Sequence, residues 1–182
     1  EVEGTQGRIP GGVLLVTNAN DGARLQVRDP ERLAYVTQTT LSVDETRDVI
    51  SALNKRFPTI VGPDVKDICY ATQNRQQAVR DLAAQVDVLL VVGAKNSSNS
   101  NRLREIGTEM GVASYLIADA DALDPAWLEN ARKIGITAGA SAPEAIVMEL
   151  VNRLASRFGA AVRELEVVEE HTHFPLPARL QG

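Results

Sequence analysis

Two stretches of this chain pair an apolar, strand-like run with a loop of small polar residues that opens a helix-like pattern. LLVVG leads into AKNSSNSN at 94–101, and KIGITAG leads into ASAP at 140–143. Ser97, Ser98, Asn99 and Ser141 supply hydroxyl and amide groups in these loops. Backbone N–H groups at a helix start add donors, and the helix dipole favours negative charge there. In a parallel sheet both loops fall at the carboxyl edge, where ligands bind. The chemistry implied is a cradle for a phosphate or diphosphate. The same residue types are also ordinary helix caps, so one loop alone decides little, whereas two at one sheet edge favour an anion site. No Lys-Ser/Thr pair follows a GxxxxG spacing, which excludes a P-loop, and the lack of GxGxxG argues against a dinucleotide site.

The only cysteine is Cys69, in DICYATQNR. A lone cysteine is ordinarily a small buried hydrophobe. Cys69 stands where a strand-flanking sequence meets a helix start, a setting that favours the thiolate that metals require. One thiol cannot hold a zinc ion or a cluster, so a metal role needs ligands from elsewhere. His171 and His173 would share one face of a strand, but no carboxylate or cysteine accompanies them in the Pro-rich tail. A chance pair is the simpler reading. Trp127 and the three Phe read as packing residues.

The elements that position these groups follow from periodicity and breakers. Gly12–Val16 and Leu33–Val36 read as strands. Ser42, with Glu45 three positions on, forms a capping box for a helix whose apolar face is Val43, Val49, Ile50, Leu53 and Phe57, ended by Pro58. A helix over about Arg75–Gln85, capped by Thr72 or Asn74, precedes the buried strand Val86–Val92. A helix over NRLREIGTEM stops at Gly111, and ASYLIA and KIGITAG give further strands on either side of a short helix begun by Asp124-Pro125. Pro143 starts a long helix that reaches about Phe158. The tail starts strand-like at RELEVVEE, read as an exposed strand face, and ends in an extended segment. Strand–helix alternation with short connections predicts an α/β fold, with small parallel-sheet lobes flanked by helices. The expected division is 1–65, the remainder of a second α/β lobe; 66–154, a third α/β lobe; and 155–182, a C-terminal strand and tail.

Composition narrows the function. Of 182 residues, 44% are hydrophobic and 4% aromatic, so the core must be built from Val, Ile, Leu and Ala. The net charge is −5 with scattered basic residues, which lacks the footprint of a nucleic-acid binder. No apolar run reaches the ~18 residues that a membrane span needs, and no signal-peptide pattern is present. A single cysteine excludes an internal disulfide and points to a reducing, cytoplasm-like compartment. The first residue is Glu1 rather than Met, which reads as a piece of something longer.

Five runs occur in order: EVEGT at 1–5, VTQTTLS at 36–42, DICYATQNRQ at 67–76, VVGAKNSSNSNRL at 91–103 and ITAGASAPE at 136–144. With HFPLP in the tail, they resemble the hydroxymethylbutenyl diphosphate reductases of the non-mevalonate isoprenoid pathway. The resemblance implies a pseudo-threefold, three-lobed fold around a [4Fe-4S] cluster held by three cysteines, one from each lobe. It also implies reductive removal of the hydroxyl of 4-hydroxy-3-methylbut-2-enyl diphosphate, giving isopentenyl and dimethylallyl diphosphates.

By the same resemblance, Cys69 matches a cluster ligand and Thr39 a threonine near the substrate hydroxyl. Ser97, Ser98, Asn99 and Ser141 match diphosphate ligands, and Glu1 matches the proton-donating glutamate. The family's other two cluster cysteines and its diphosphate-binding histidines lie upstream of EVEGT and are absent here. The implied partners are the allylic diphosphate, an electron donor such as flavodoxin or ferredoxin, and the missing N-terminal lobe. The implied location is cytoplasmic, or plastid in a photosynthetic eukaryote. Two other readings stand beside this one: a non-catalytic fragment or split subunit that needs a partner chain, and a generic phosphate-binding α/β module.

Overall fold

The computed structural model describes residues 2–63 and 68–165. Glu1, His171, His173 and the HFPLP segment lie outside the described residues.

The C-terminal part is built around one strand. In β1 (Val88–Val92) every residue is buried. Alternate side chains enter two cores, because successive residues of a strand face opposite sides. Leu89 and Val91 pack with Val79, Leu103 and Ile106. Val88, Leu90 and Val92 pack with Ile117, Leu150 and Leu154. A strand buried on both faces reads as an unbroken apolar run, and VLLVV is one. Its neighbours β2 (Ala113–Ile117) and β3 (Ile134–Ala138) pair with it in parallel, in the order β2-β1-β3. The helices α4 (Tyr70–Ala83) and α5 (Ser98–Glu109) cover one face, and α6 (Glu144–Phe158) covers the other. The expected α/β unit with a small parallel sheet is therefore present.

The N-terminal part is helical in its regular elements, with α1 (Val2–Gln6), α2 (Ala19–Arg24) and α3 (Val43–Arg56). Helix α3 packs on α2 where Gly22 meets Leu53. Ser42 caps α3 as the sequence predicts, its hydroxyl accepting from the Glu45 N–H at 3.3 Å. The Glu45 carboxylate turns to Arg102, 3.6 Å away on α5.

The strand expected at Gly12–Val16 is not formed. That stretch is irregular, and Leu14 and Leu15 are 60% and 56% exposed. A strand needs a neighbour to take its backbone groups, and among the described residues this one has none. Leu33–Val36 shrinks to a single parallel bridge, Ala34 with Val61. In the tail, residues 161–165 form no strand, and the rest lies outside the described residues. Helix α4 starts at Tyr70, five residues before the expected Arg75. Cys69 takes the cap position, and its carbonyl accepts from Thr72 and Gln73 at 2.8 and 3.0 Å. The predicted caps Thr72 and Asn74 are inside the helix. Pro143 sits one place earlier than expected, at the cap of α6 with extended backbone.

Asp87 ties the entry of β1 to that of β3. Its carboxylate accepts from the backbone N–H groups of Arg132 and Lys133 at 2.8 and 2.9 Å. Those two bonds, Lys133's first, hold its pKa below the ordinary 3.8. The folded value lies below the unfolded one, so the stabilisation is complete above pH 3.8 and is lost as pH falls through the folded value. Asp87→Asn should therefore flatten the acid limb of the urea midpoint measured from about pH 5 down to about pH 2. An acid limb identical in both proteins would remove Asp87 from that role.

Candidate functional site

The site begins at the topological switch point. From β1 the chain returns through α5 to β2 on one side, then crosses to β3 on the other. The loops after β1 and β3 thus lie side by side at the carboxyl edge, with their helices on opposite faces, which makes a crevice of the kind that binds ligands. Two glycines let the loops close up. A Cβ at Gly93 would lie 2.2 Å from the Ser100 hydroxyl oxygen, and one at Gly139 would lie 2.0 Å from it. Ser100 is fully buried between the two strand ends, and the same Gly139 position is 3.7 Å from the Asn99 amide nitrogen. The structure therefore brings 97–99 and the 139–141 loop together.

The predicted donors differ in what they do. Ser97 is the N-cap of α5, its oxygen accepting from the Ser100 N–H at 3.2 Å and the Ser100 hydroxyl at 3.0 Å. That is the capping role the sequence left open, and it leaves the Ser97 hydroxyl proton to give elsewhere. Ser98 is exposed, with its Oγ 3.1 Å from Thr40 Oγ1. Ser141 is exposed in the turn closed by the Ala142 N–H to Gly139 carbonyl bond of 3.0 Å. Asn99 is 7% exposed, yet neither its amide nitrogen nor its carbonyl oxygen has a partner. A buried, unpaired amide is costly, and here it stands in the first turn of α5, beside the crevice.

A second group adjoins this one through the TTLS turn. The Cys69 N–H donates to the Thr39 carbonyl at 3.3 Å, so the two residues assigned by resemblance to the reacting end are neighbours. Thr39 lines an open cleft of about 500 Å³ with Gly4, Thr5, Arg8, Ile9, Thr37 and Gln38. The Cys69 thiol is free and exposed, not buried as an isolated cysteine usually is. Among the described residues no group of three or more His, Cys, Asp or Glu could hold a metal ion, and Cys69 is the chain's single thiol. No described helix is long and apolar enough to cross a membrane.

Thr40, Arg8 and Gln76 adjoin the site without being among the residues expected from the sequence. The Gln76 amide nitrogen donates to the Leu41 carbonyl at 2.8 Å. Thr40 carries no local signal, since its contact with Ser98 is made far away in sequence, and neither does Arg8, which lines the Thr39 cleft. Gln76 had one: a long polar side chain among the apolar positions of α4.

Fold and site together define a parallel α/β unit with a donor-lined crevice at its switch point, next to an exposed cysteine. The profile of the LytB protein family matches residues 1–155. The chain belongs to that family. It is 56% identical over 181 residues to a 4-hydroxy-3-methylbut-2-enyl diphosphate reductase of Azoarcus sp. (strain BH72), covering 100% of this chain and 58% of that protein. It is 58% identical over 180 residues to 4-hydroxy-3-methylbut-2-enyl diphosphate reductase 1 of Rhodopseudomonas palustris, covering 99% and 59%. The solved E-1-hydroxy-2-methyl-but-2-enyl-4-diphosphate reductase of Plasmodium falciparum superimposes with a TM-score of 0.85 at 32% identity, over 97% of this chain and 56% of that one. The chain thus spans well under two thirds of the length of these relatives.

The two crevice residues should respond oppositely to apolar substitution. Ser97→Ala removes a cap and should cost about 1 kcal/mol in urea unfolding. Asn99→Leu keeps the branched shape and removes an unpaired amide, so stability should hold or rise by up to about 1–3 kcal/mol. A clear loss of stability in Asn99→Leu would mean that the amide serves the fold.

Proposed function

We propose that this chain supplies the diphosphate-binding half of a 4-hydroxy-3-methylbut-2-enyl diphosphate reductase, completed by the further sequence that its relatives carry. The observation that carries this reading is Asn99, an amide buried without a partner between two serine loops. The Asn99 amide nitrogen can donate to a ligand oxygen, while its carbonyl oxygen would need a donor. The exposed hydroxyls of Ser98 and Ser141 and the N-terminal N–H groups of α5 supply the other donors, and Ser97 adds its free hydroxyl proton. All are neutral, so they orient a diphosphate more than they attract it.

The reacting end lies across the TTLS turn. Cys69 serves as one of three thiolate ligands of a [4Fe-4S] cluster, the other two coming from the further sequence. When bound, such a cluster supplies electrons and a Lewis-acidic iron for the substrate oxygen. Thr39 orients the departing hydroxyl from the cleft wall, and Glu1 gives it a proton. Hydroxide is a poor leaving group, so this proton lowers the barrier. Electrons come from a small redox protein such as flavodoxin or ferredoxin, in a cytoplasmic or plastid compartment.

Calorimetric titration with pyrophosphate tests the crevice. This chain should bind it weakly, and Asn99→Leu should weaken binding by roughly 1.5–3 kcal/mol, the worth of a hydrogen bond to a charged group. An unchanged affinity in both Asn99→Leu and Ser141→Ala would overturn the cradle. The proton donor is tested in a polypeptide of the relatives' full length that carries this segment. There Glu1→Gln should lower turnover by about 10²–10⁴-fold while substrate affinity holds, since general acid catalysis acts in the transition state. Near-normal turnover would remove Glu1 from the mechanism.

A further inference from the structure

Gln76 is 1% exposed, deep in the packing between α4 and the N-terminal part. It stands seven residues, about two helical turns, after Cys69, the N-cap of α4. Both reach the same short segment. The Cys69 N–H holds the Thr39 carbonyl at 3.3 Å, and the Gln76 amide nitrogen holds the Leu41 carbonyl at 2.8 Å. Between those two carbonyls stands Thr40, whose hydroxyl is 3.1 Å from that of Ser98. The other half of the Gln76 amide, its carbonyl oxygen, has no partner. A fold selected only for stability would place an apolar side chain at such a position. Ion pairs on either side hold the first turn of α3 in the same frame: Asp44 with Arg80 at 3.1 Å and Glu45 with Arg102 at 3.6 Å.

Resting on the reductase reading above, we propose that Gln76 is a positioning residue that sets the height of the Thr39–Thr40 turn over the cysteine-bearing end of α4. It touches neither substrate nor thiol. It acts through the Leu41 carbonyl, and so fixes where Thr39 presents its hydroxyl relative to Cys69. A misplacement of about 1 Å in a reacting group can lower a rate about a hundredfold, whereas Asn99, Ser141 and the N–H groups of α5 are built on β1 and β3, and of the diphosphate donors Ser98 meets the turn, through Thr40.

Gln76→Met keeps the length and removes the donor. On this chain, hydrogen exchange read by mass spectrometry should quicken over 37–44 and at the Cys69 amide, with β1 unchanged, and pyrophosphate affinity should stay within about twofold, since ground-state binding is untouched. In a polypeptide of the relatives' full length, kcat should fall about tenfold or more with little change in KM. Gln76→Glu is the second variant. A buried carboxyl donates to the Leu41 carbonyl only when protonated, so its turnover relative to the parent should rise as pH falls. Unchanged exchange over 37–44 in Gln76→Met would overturn the proposal. So would normal kcat in Gln76→Met, or a Gln76→Glu profile parallel to the parent's. A parent polypeptide without turnover would be a different failure, because it sinks the reductase reading itself and takes the proposal with it.

Discussion

The hydrogen bonds between the TTLS turn and α4 are the constraint on which the site depends. No cross-link keeps residues 39–41 near 69–76, and among the described residues no sheet joins the two parts. The described strands all belong to the C-terminal unit, and the N-terminal part offers only the bridge of Ala34 with Val61. Register between the parts is set by the backbone bond from Cys69 to Thr39, the Gln76 bond to Leu41 and the hydroxyl contact of Thr40 with Ser98. Each is directional, with a reach of about 3 Å. Apolar packing could hold the parts together but would allow them to slide. Placing a threonine beside a cysteine, and both beside a phosphate cradle, requires the directional kind.

The price in stability is visible in the unpaired buried atoms. The Gln76 carbonyl oxygen and both polar atoms of Asn99 are among them. They belong to the two places where the fold meets the proposed chemistry, the turn and the crevice. Thr46 Oγ1 and Arg102 Nε are buried without a partner as well, whereas several other groups that build the unit are satisfied. Ser97 and Ser100 pair with each other, Asp87 takes two backbone N–H groups, and Asp124 caps the 3-10 turn at Pro125–Leu128. Pairing alone does not mark a ligand donor, but it distinguishes the unpaired Asn99 from the capping Ser97, which residue type does not.

Legibility in the sequence followed the range of the interactions. Local physics gave the Ser42 cap, the unbroken apolar β1 and the small polar loops at two strand ends. The resemblance of five ordered runs led to the family. Gly12–Val16 was misread because an apolar run says that a strand is possible but not that a neighbour exists to receive it. The start of α4 was misplaced because Cys69 caps by its backbone alone, with no side-chain bond to announce it. Thr40 could not be read at all, because its partner is 58 residues away. The roles of Ser97 and Asn99 were indistinguishable by type, and burial with hydrogen-bond pairing separated them.

The charge of the crevice is the last element of the account. A diphosphate carries several negative charges, and this chain carries a net charge of −5. The crevice answers with hydroxyls, an amide and one helix N-terminus, equivalent to roughly half a positive charge. Neutral donors in a half-buried site discriminate by geometry, because each must be matched by an oxygen in the right place. They contribute little long-range attraction, which needs net positive charge and is screened over about 10 Å in ordinary salt. The one cation lining the Thr39 cleft is Arg8, on the N-terminal side of the turn. On the proposed reading, selection by shape would reside in the β1–β3 crevice, with long-range attraction supplied by cationic groups outside that donor set. The weak hold on pyrophosphate expected of this chain alone follows, on the same reading, from donors that are themselves neutral.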